Sequence, residues 1–366
     1  MATVTLKNIA TGPIEGGLDL TIHDREFVVL AADGTSTILR LIAGLEDLHG
    51  GEILFDDRRV DTVAPKERDV AWLARNYTPY PGLSVFENLA IGLRGRNFAE
   101  TEIKKRISAV AAALGLETQL EANANSLQLE QQRLVGLARA MVRQPKVYLF
   151  DEPFAGLDSE AARRGRAEVT RLYQRSSPTI IYATRLAEEA LAFGERTVVL
   201  TDGVIQQDSS VQEIYDVPAN LTVAKFFGDP PMNLVAGTLK QERNGLVFSE
   251  AGDGTIAVLL SSDRFPNARD FLSRPVVLGF RPEDVRIEGS GGSAKDDGFG
   301  FRALVDRAER RGSAADLFLQ TGAHALIARS LRPAEAQVGQ RLQFRITVEK
   351  AHLFDAESGQ RVRSEA

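Results

Sequence analysis

The sequence predicts an α/β domain built on a mostly parallel sheet, followed by a small all-β domain, and three observations carry that expectation. Residues 27–32 (FVVLAA) and 147–150 (VYLF) are short unbroken apolar runs, as in strands covered by helices on both faces. Between them, residues 101–114 and about 131–143 carry apolar side chains at helical spacing. After about residue 235 the texture changes to short alternating segments separated by glycine or polar turns, which suits a small antiparallel barrel.

In chain order, Val4, Leu6 and Ile9, then Leu18, Leu20 and Ile22, mark two alternating strands. The core strand 27–32 runs through a tight turn into a helix over 37–45 that ends near Gly44. The helix over 101–114 lines up Ile103, Ile107, Val110 and Leu114, and Gly115 stops it. The next, about 131–143, places Leu134, Leu137, Ala138 and Met141 on one face and halts before Pro145. The stretch KVYLFDEP then forms a second core strand ending in an acidic turn. Beyond 235, RPVVLGFRPEDVRI, FRALVDRAE, ADLFLQT, HALIARS and QRLQFRITVEKAHLF read as strands, and GSGGSAKDDGFG (289–300) reads as a flexible surface loop.

Composition bounds the function. A chain of 366 residues, 43% hydrophobic and 26% charged, suits a globular protein of two or three domains. No run of about 18 apolar residues occurs, so no membrane-spanning helix is expected. The first residues, MATVTLKNIATG, have no basic region followed by an apolar stretch, so no secretory signal is expected there, and the chain reads as intracellular. The absence of cysteine excludes disulfides, thiolate metal sites and a cysteine nucleophile. A net charge of -6 without a basic stripe argues against nucleic acid as a partner.

The strongest chemical motif is VYLFDEPFAGLD. Four apolar residues deliver Asp151 and Glu152 to the carboxyl end of a core strand, where a magnesium ion and an attacking water can be held. An acidic pair after a strand, taken alone, more often opens a solvated loop. Pro153, Gly156 and Asp158 downstream, with STILRLIAGLE upstream, favour the functional reading.

These residues resemble the ATP-binding subunits of ABC importers, in the sugar and polyol group that includes the maltose importer ATPase. The resemblance rests on STILRLIAGLEDLHGGEILFDDRRV, PKERDVAW, YPGLSVFENLAIGL, ARAMVRQPKVYLFDEPFAGLD and EEALAFGERTVVLTDGVIQQ, and then on LGFRPEDV and HLFDAESGQRV. It implies a P-loop NTPase-like nucleotide-binding domain over 1–235, with a helical subdomain at about 76–126. An OB-like accessory or regulatory (TOBE) domain is implied over 236–366.

The chain departs from that family where the family does its chemistry. A phosphate loop has the spacing G-x-x-x-x-G-K-[ST], so that loop amides surround the phosphates and the lysine reaches the terminal one. Aligned on Ser36 and Thr37, the lysine position is Thr35, Gly34 is the one glycine left, and the loop is about three residues too short. No lysine lies between Lys7 and Lys66, so none can be supplied from a neighbouring position. Its loss removes charge-assisted hydrogen bonds of roughly 1.5–3 kcal/mol each. Arg75 stands where the family has a magnesium-ligating glutamine, and Arg185 stands where it has the histidine that contacts the terminal phosphate. The first aromatic residue is Phe27, so the early aromatic that stacks on adenine is missing. The signature segment, which offers glycine amides to a nucleotide on the opposite subunit, reads Leu127, Gln128, Leu129, Glu130 and Gln131.

The resemblance and its departures together imply a degenerate subunit of a bacterial-type importer of a sugar, polyol, glycerol or related solute. It would pair with an intact homologous ATPase subunit beneath two membrane permease subunits, served indirectly by a solute-binding protein. That places it in the cytoplasm, peripheral to the inner face of the plasma membrane. ATP and magnesium would act at the composite site, to which this chain brings Asp158 and the altered signature. Its own site, with Ser36 and Asp151 as candidate magnesium ligands, would be weak or empty. Residues 77–86 (YTPYPGLSVF) resemble the surface that meets the permease, with Tyr77, Tyr80, Pro81, Leu83 and Phe86 as candidate contacts, although the same residues equally suit plain loop packing. Two alternatives remain open: a cytosolic regulatory module that captures a protein through its barrel, and an unorthodox active ATPase in which Arg75 or Arg185 replaces the lysine.

Overall fold

The computed structural model describes residues 2–11, 14–31, 33–193, 195–243, 245–261, 264–288, 299–331 and 336–362. They divide into two compact units, Met1–Gln212 and Glu213–Ala366. This division lies upstream of the change in texture at 235, because the segment before it packs with the second unit. Leu221 donates its amide to the Gly359 carbonyl, and Ala224 and Met232 cluster with Phe354.

The first unit contains β1 (Val4–Thr11), β2 (Ile14–Ile22), β3 (Phe27–Ala31), α1 (Thr35–Ala43), β4 (Gly50–Phe55), β5 (Arg58–Arg59), β6 (Val70–Leu73), α2 (Val85–Arg94) and α3 (Glu100–Leu114). It continues through α4 (Leu129–Arg143), β7 (Val147–Asp151), α5 (Ser159–Ser176), β8 (Thr179–Thr184), α6 (Ala187–Phe193), β9 (Arg196–Thr201) and β10 (Val204–Ser209). The strands make a four-stranded antiparallel sheet, β2-β1-β4-β5, and a six-stranded sheet, β10-β9-β3-β8-β7-β6. Within the larger sheet every pairing is parallel except β10 with β9.

The apolar runs became the strands buried on both faces. All five residues of β3 and of β7 are buried. The last residue of the expected 27–32 strand, Ala32, lies outside the described residues. Helix α1 begins two residues earlier than its spacing suggested, because Gly34 at φ 82° turns the chain directly into the helix, and it ends at Gly44 in the left-handed region as expected. For α4 the expected face is only part of the buried one. Leu137 and Ala138 are buried, but Leu134 and Met141 are half-buried while Val135, Gly136, Ala140 and Val142 are covered. Helix α4 is wedged among α2, α3, α5 and β6, so its covered surface exceeds a single stripe.

The second unit holds β11 (Asn233–Glu242), β12 (Gly245–Glu250), β13 (Ala257–Leu260), β14 (Pro275–Phe280), β15 (Val285–Ile287), β16 (Phe299–Arg311), β17 (Ala314–Gln320), β18 (Ala325–Ser330), β19 (Arg341–Ile346) and β20 (His352–Asp355). The expected antiparallel β unit is present as two five-stranded sheets, β13-β12-β11-β14-β20 and β15-β19-β16-β17-β18, around one shared core that includes Phe248, Phe280, Phe301 and Phe344. Most of the expected loop at 289–300 lies outside the described residues; Phe299 and Gly300 open β16.

Candidate functional site

Parallel pairing fixes where the sequence motifs meet. Ala31 of β3 pairs with Thr184 of β8, Asp151 of β7 with Ala183 of β8, and Leu73 of β6 with Phe150 of β7. The carboxyl ends of these four strands are therefore level at one edge of the sheet, the usual place for a ligand in an α/β fold. The turns that follow them carry Gly34 to Thr37, Arg75, Glu152 and Arg185.

At this edge the polar groups are turned on one another. Ser36 Oγ donates to Asp151 Oδ1 at 2.6 Å. Burial pushes the Asp151 carboxyl up, opposed by the Ser36 hydrogen bond and by the charges of Arg75 and Arg40. Glu152, 8% exposed and at φ 40°, lies 2.7 Å from Arg185 Nε and 3.6 Å from Arg75 Nη1. Its carboxyl is also raised by burial; Arg75 opposes the shift, while Asp151, Glu189 and Asp33 add to it. Behind the arginine turn, Thr184 Oγ1 donates to Glu189 Oε2 at 2.6 Å and accepts the Leu186 amide at 3.0 Å. In the loop of α1 the Thr37 amide is already spent on the Gly34 carbonyl, and Thr35 is buried.

Ser36 and Asp151 keep free oxygen lone pairs that could serve magnesium, whereas a nucleotide would also need Glu152 free to hold a water and a loop lysine for its phosphates. The site present instead has two guanidiniums on the glutamate and no loop lysine. Among the described residues, no group of three or more His, Cys, Asp or Glu side chains gathers in a way that could hold a metal ion.

The signature residues and Asp158 lie at the amino ends of α4 and α5. Gln128 is the N-cap residue of α4 without a side-chain cap, Leu129 is 45% exposed, and Glu130 pairs with Arg164 of α5 through bonds of 2.9 and 3.0 Å. Asp158 Oδ1 caps α5 by accepting the amides of Glu160 and Ala161 at 3.0 and 2.9 Å. Leu127 accepts from the Gln132 side chain at 2.9 Å, and Gln131 is half-buried.

A third group surrounds the turn after β6. Tyr80 and Pro81 are exposed, whereas Tyr77, Leu83 and Phe86 are half-buried. Arg139 lies over the Tyr80 ring at 4.3 Å, with its Nη1 3.2 Å from the Tyr77 hydroxyl. Buried Asn88 holds the loop by accepting the Tyr80 amide at 2.7 Å. Beneath it, Arg133 of α4 donates to the carbonyls of Tyr77 at 3.1 Å and Ala155 at 3.5 Å, joining the two turns. Sequence reasoning missed Arg133, Arg139, Arg164 and Asn88. A charged residue one turn before Leu137 on the covered side of α4 was the available signal for Arg133; nothing in the sequence marks Arg164.

Comparisons with known proteins identify the family. Residues 17–155 match the ABC transporter family, 228–285 the MalK OB fold domain and 278–354 the TOBE domain. The chain is 35% identical over 359 residues to the oligosaccharides import ATP-binding protein MsmX of Bacillus subtilis, covering 96% of this chain and 95% of that protein. This chain belongs to the family of ABC transporter ATP-binding proteins. Another relative, the sn-glycerol-3-phosphate import ATP-binding protein UgpC of Bordetella pertussis, is 34% identical and covers 99% of each chain. The fold also matches the dimeric ATP-binding cassette MJ0796, solved in a post-hydrolysis state with ADP and Pi, at a TM-score of 0.51 and 24% identity over 57% of this chain and 98% of that one. As an ABC cassette the chain has the expected organisation, a nucleotide-binding fold followed by OB and TOBE modules. Members of the family bind ATP with magnesium, and among the described residues no helix is long and apolar enough to cross a membrane.

Proposed function

We propose that this chain is a catalytically degenerate ATP-binding subunit of a solute importer, cytoplasmic and peripheral to the membrane, that works beside an intact homologous ATPase. The observation that carries the reading is the pairing of Glu152 with Arg185 and Arg75, which occupies the carboxylate expected to poise the attacking water. The missing loop lysine points the same way. The import functions named for MsmX and UgpC support a sugar, oligosaccharide or glycerol phosphate as the class of solute. The partner ATPase would contribute its own phosphate loop and glutamate, while Asp158 and the 127–131 segment of this chain complete the composite site. Exposed Tyr80 and Pro81 supply a surface for the permease subunits, which favours a transport subunit over a free cytosolic regulator. An active ATPase using Arg75 or Arg185 in place of lysine would first have to break that arginine's pair with Glu152.

The test is stoichiometry. Co-expressed with the homologous ATPase and the permease subunits, this chain should appear once per complex by native mass measurement. Two copies with no second ATPase would overturn the proposal.

A further inference from the structure

Arg75, Glu152 and Arg185 come from three turns, after β6, β7 and β8, and one carboxylate joins all three. We propose that Glu152 serves as the resident anionic ligand of a two-arginine site, tying the turns after β6 and β8 to β7 without any bound nucleotide. The inference rests on the degenerate-site reading and adds to it: the connection a bound anion could make between these turns is made here by the chain itself.

The chemistry favours a durable tie. Glu152 is 8% exposed, and a buried carboxylate requires paired cations to offset its lost hydration. Its bond to Arg185 Nε is short and charge-assisted, and Arg75 Nη1 stands 3.6 Å from the other oxygen as an ion partner. The backbone reinforces the position: the Glu152 amide donates to the Ala183 carbonyl at 3.0 Å, and the residue is held at φ 40°, a costly conformation for a side-chain-bearing residue. The arginines are about half exposed, so their charged ends can be exchanged by mutation without opening the core. Arg75 is two residues from Tyr77, whose carbonyl is held by Arg133, and that turn leads directly to exposed Tyr80 and Pro81. The tie therefore sets the stiffness of the segment that carries the candidate permease contacts, and Arg75, Glu152 and Arg185 act as positioning residues.

Hydrogen exchange on the intact chain reads this directly. The Tyr77 amide, bonded to the Ala74 carbonyl, and the Leu186 amide, bonded to Thr184 Oγ1, report the two tied turns, and core amides of β3 serve as the reference. Glu152→Gln should speed exchange at Tyr77 and Leu186 at least tenfold and leave β3 unchanged. Arg75→Gln should act at Tyr77 and Arg185→Gln at Leu186, whereas Arg75→Lys and Arg185→Lys, which keep the charge, should retain most of the protection. Unchanged exchange in Glu152→Gln, or equal loosening by the lysine and glutamine variants, would overturn the tie. Slowing of exchange in the unmodified chain by magnesium-ATP would instead overturn the degenerate-site reading, so the two failures are distinguishable. Should Glu152→Gln fail to fold, the half-exposed arginine variants decide the question alone.

Discussion

Ser36 Oγ and Asp151 Oδ1 lie 2.6 Å apart, bonded to each other across the carboxyl ends of β3 and β7. This bond leaves the serine oxygen's lone pairs open, but no lysine lies between Lys7 and Lys66 to draw a phosphate to this edge. The isolated chain is therefore expected to bind ATP no better than millimolar, about 4 kcal/mol at the standard state. Fluorescent-nucleotide titration with and without magnesium measures this. Micromolar, magnesium-dependent affinity would sink the degenerate-site reading.

Glu152 has no nucleotide of its own to act on under this reading. In the reconstituted transporter, Glu152→Gln in this chain should lower ATP turnover by no more than about threefold, under ~0.7 kcal/mol, through its looser neighbouring turn. The equivalent change in the intact partner should cost at least about a hundredfold, ~2.7 kcal/mol. Turnover and solute uptake need to be followed together. Equal losses from the two variants would favour the unorthodox active ATPase.

A separate expectation concerns acid stability of the second unit. His352, 4% exposed in β20, has its pKa pushed down to about 3 by burial and by the charges of Arg361, Arg264 and Arg281. The folded chain takes up this proton only near pH 3, whereas the unfolded chain takes it up near the ordinary value of 6.5. Between those limits the unfolded state holds more protons, so stability is full above pH 6.5 and falls as the pH drops, by at most about 1.4 kcal/mol per unit. Denaturant unfolding at pH 7 and pH 5 should show a smaller loss in His352→Gln than in the unmodified chain. Identical pH dependence of the two would remove His352 from this account.

Much of the fold was legible because its signals are local. Residues 27–31 and 147–150 are apolar without interruption, as in strands of a sheet covered on both faces, and Gly44 and Gly115 stop their helices in the left-handed region. The candidate residues at the sheet edge were legible by position through the family resemblance. Their mutual pairing was not, since residues 75, 152 and 185 meet only through the parallel register of β6, β7 and β8, which no local pattern encodes. The same holds for Glu130 and Arg164, which lie on different helices and pair only because α4 and α5 pack together. The broad buried face of α4 was likewise set by neighbours on several sides rather than by its own periodicity.

Asp158 offers the sharpest division between a structural and a composite-site role. Its Oδ1 accepts the amides of Glu160 and Ala161, so Asp158→Ala removes the cap of α5 and should cost about 1 kcal/mol of stability. If Asp158 also orders the partner's catalytic groups, turnover of the complex should fall about tenfold, equivalent to ~1.4 kcal/mol of misplaced geometry. Asp158→Asn separates the two effects, because asparagine caps a helix as well as aspartate does but carries no charge. It should restore the melting temperature of the isolated chain while leaving turnover of the assembled transporter reduced. Full recovery of turnover by asparagine would confine Asp158 to holding α5. A destabilised alanine variant with undiminished turnover would exclude this residue from the partner's site altogether.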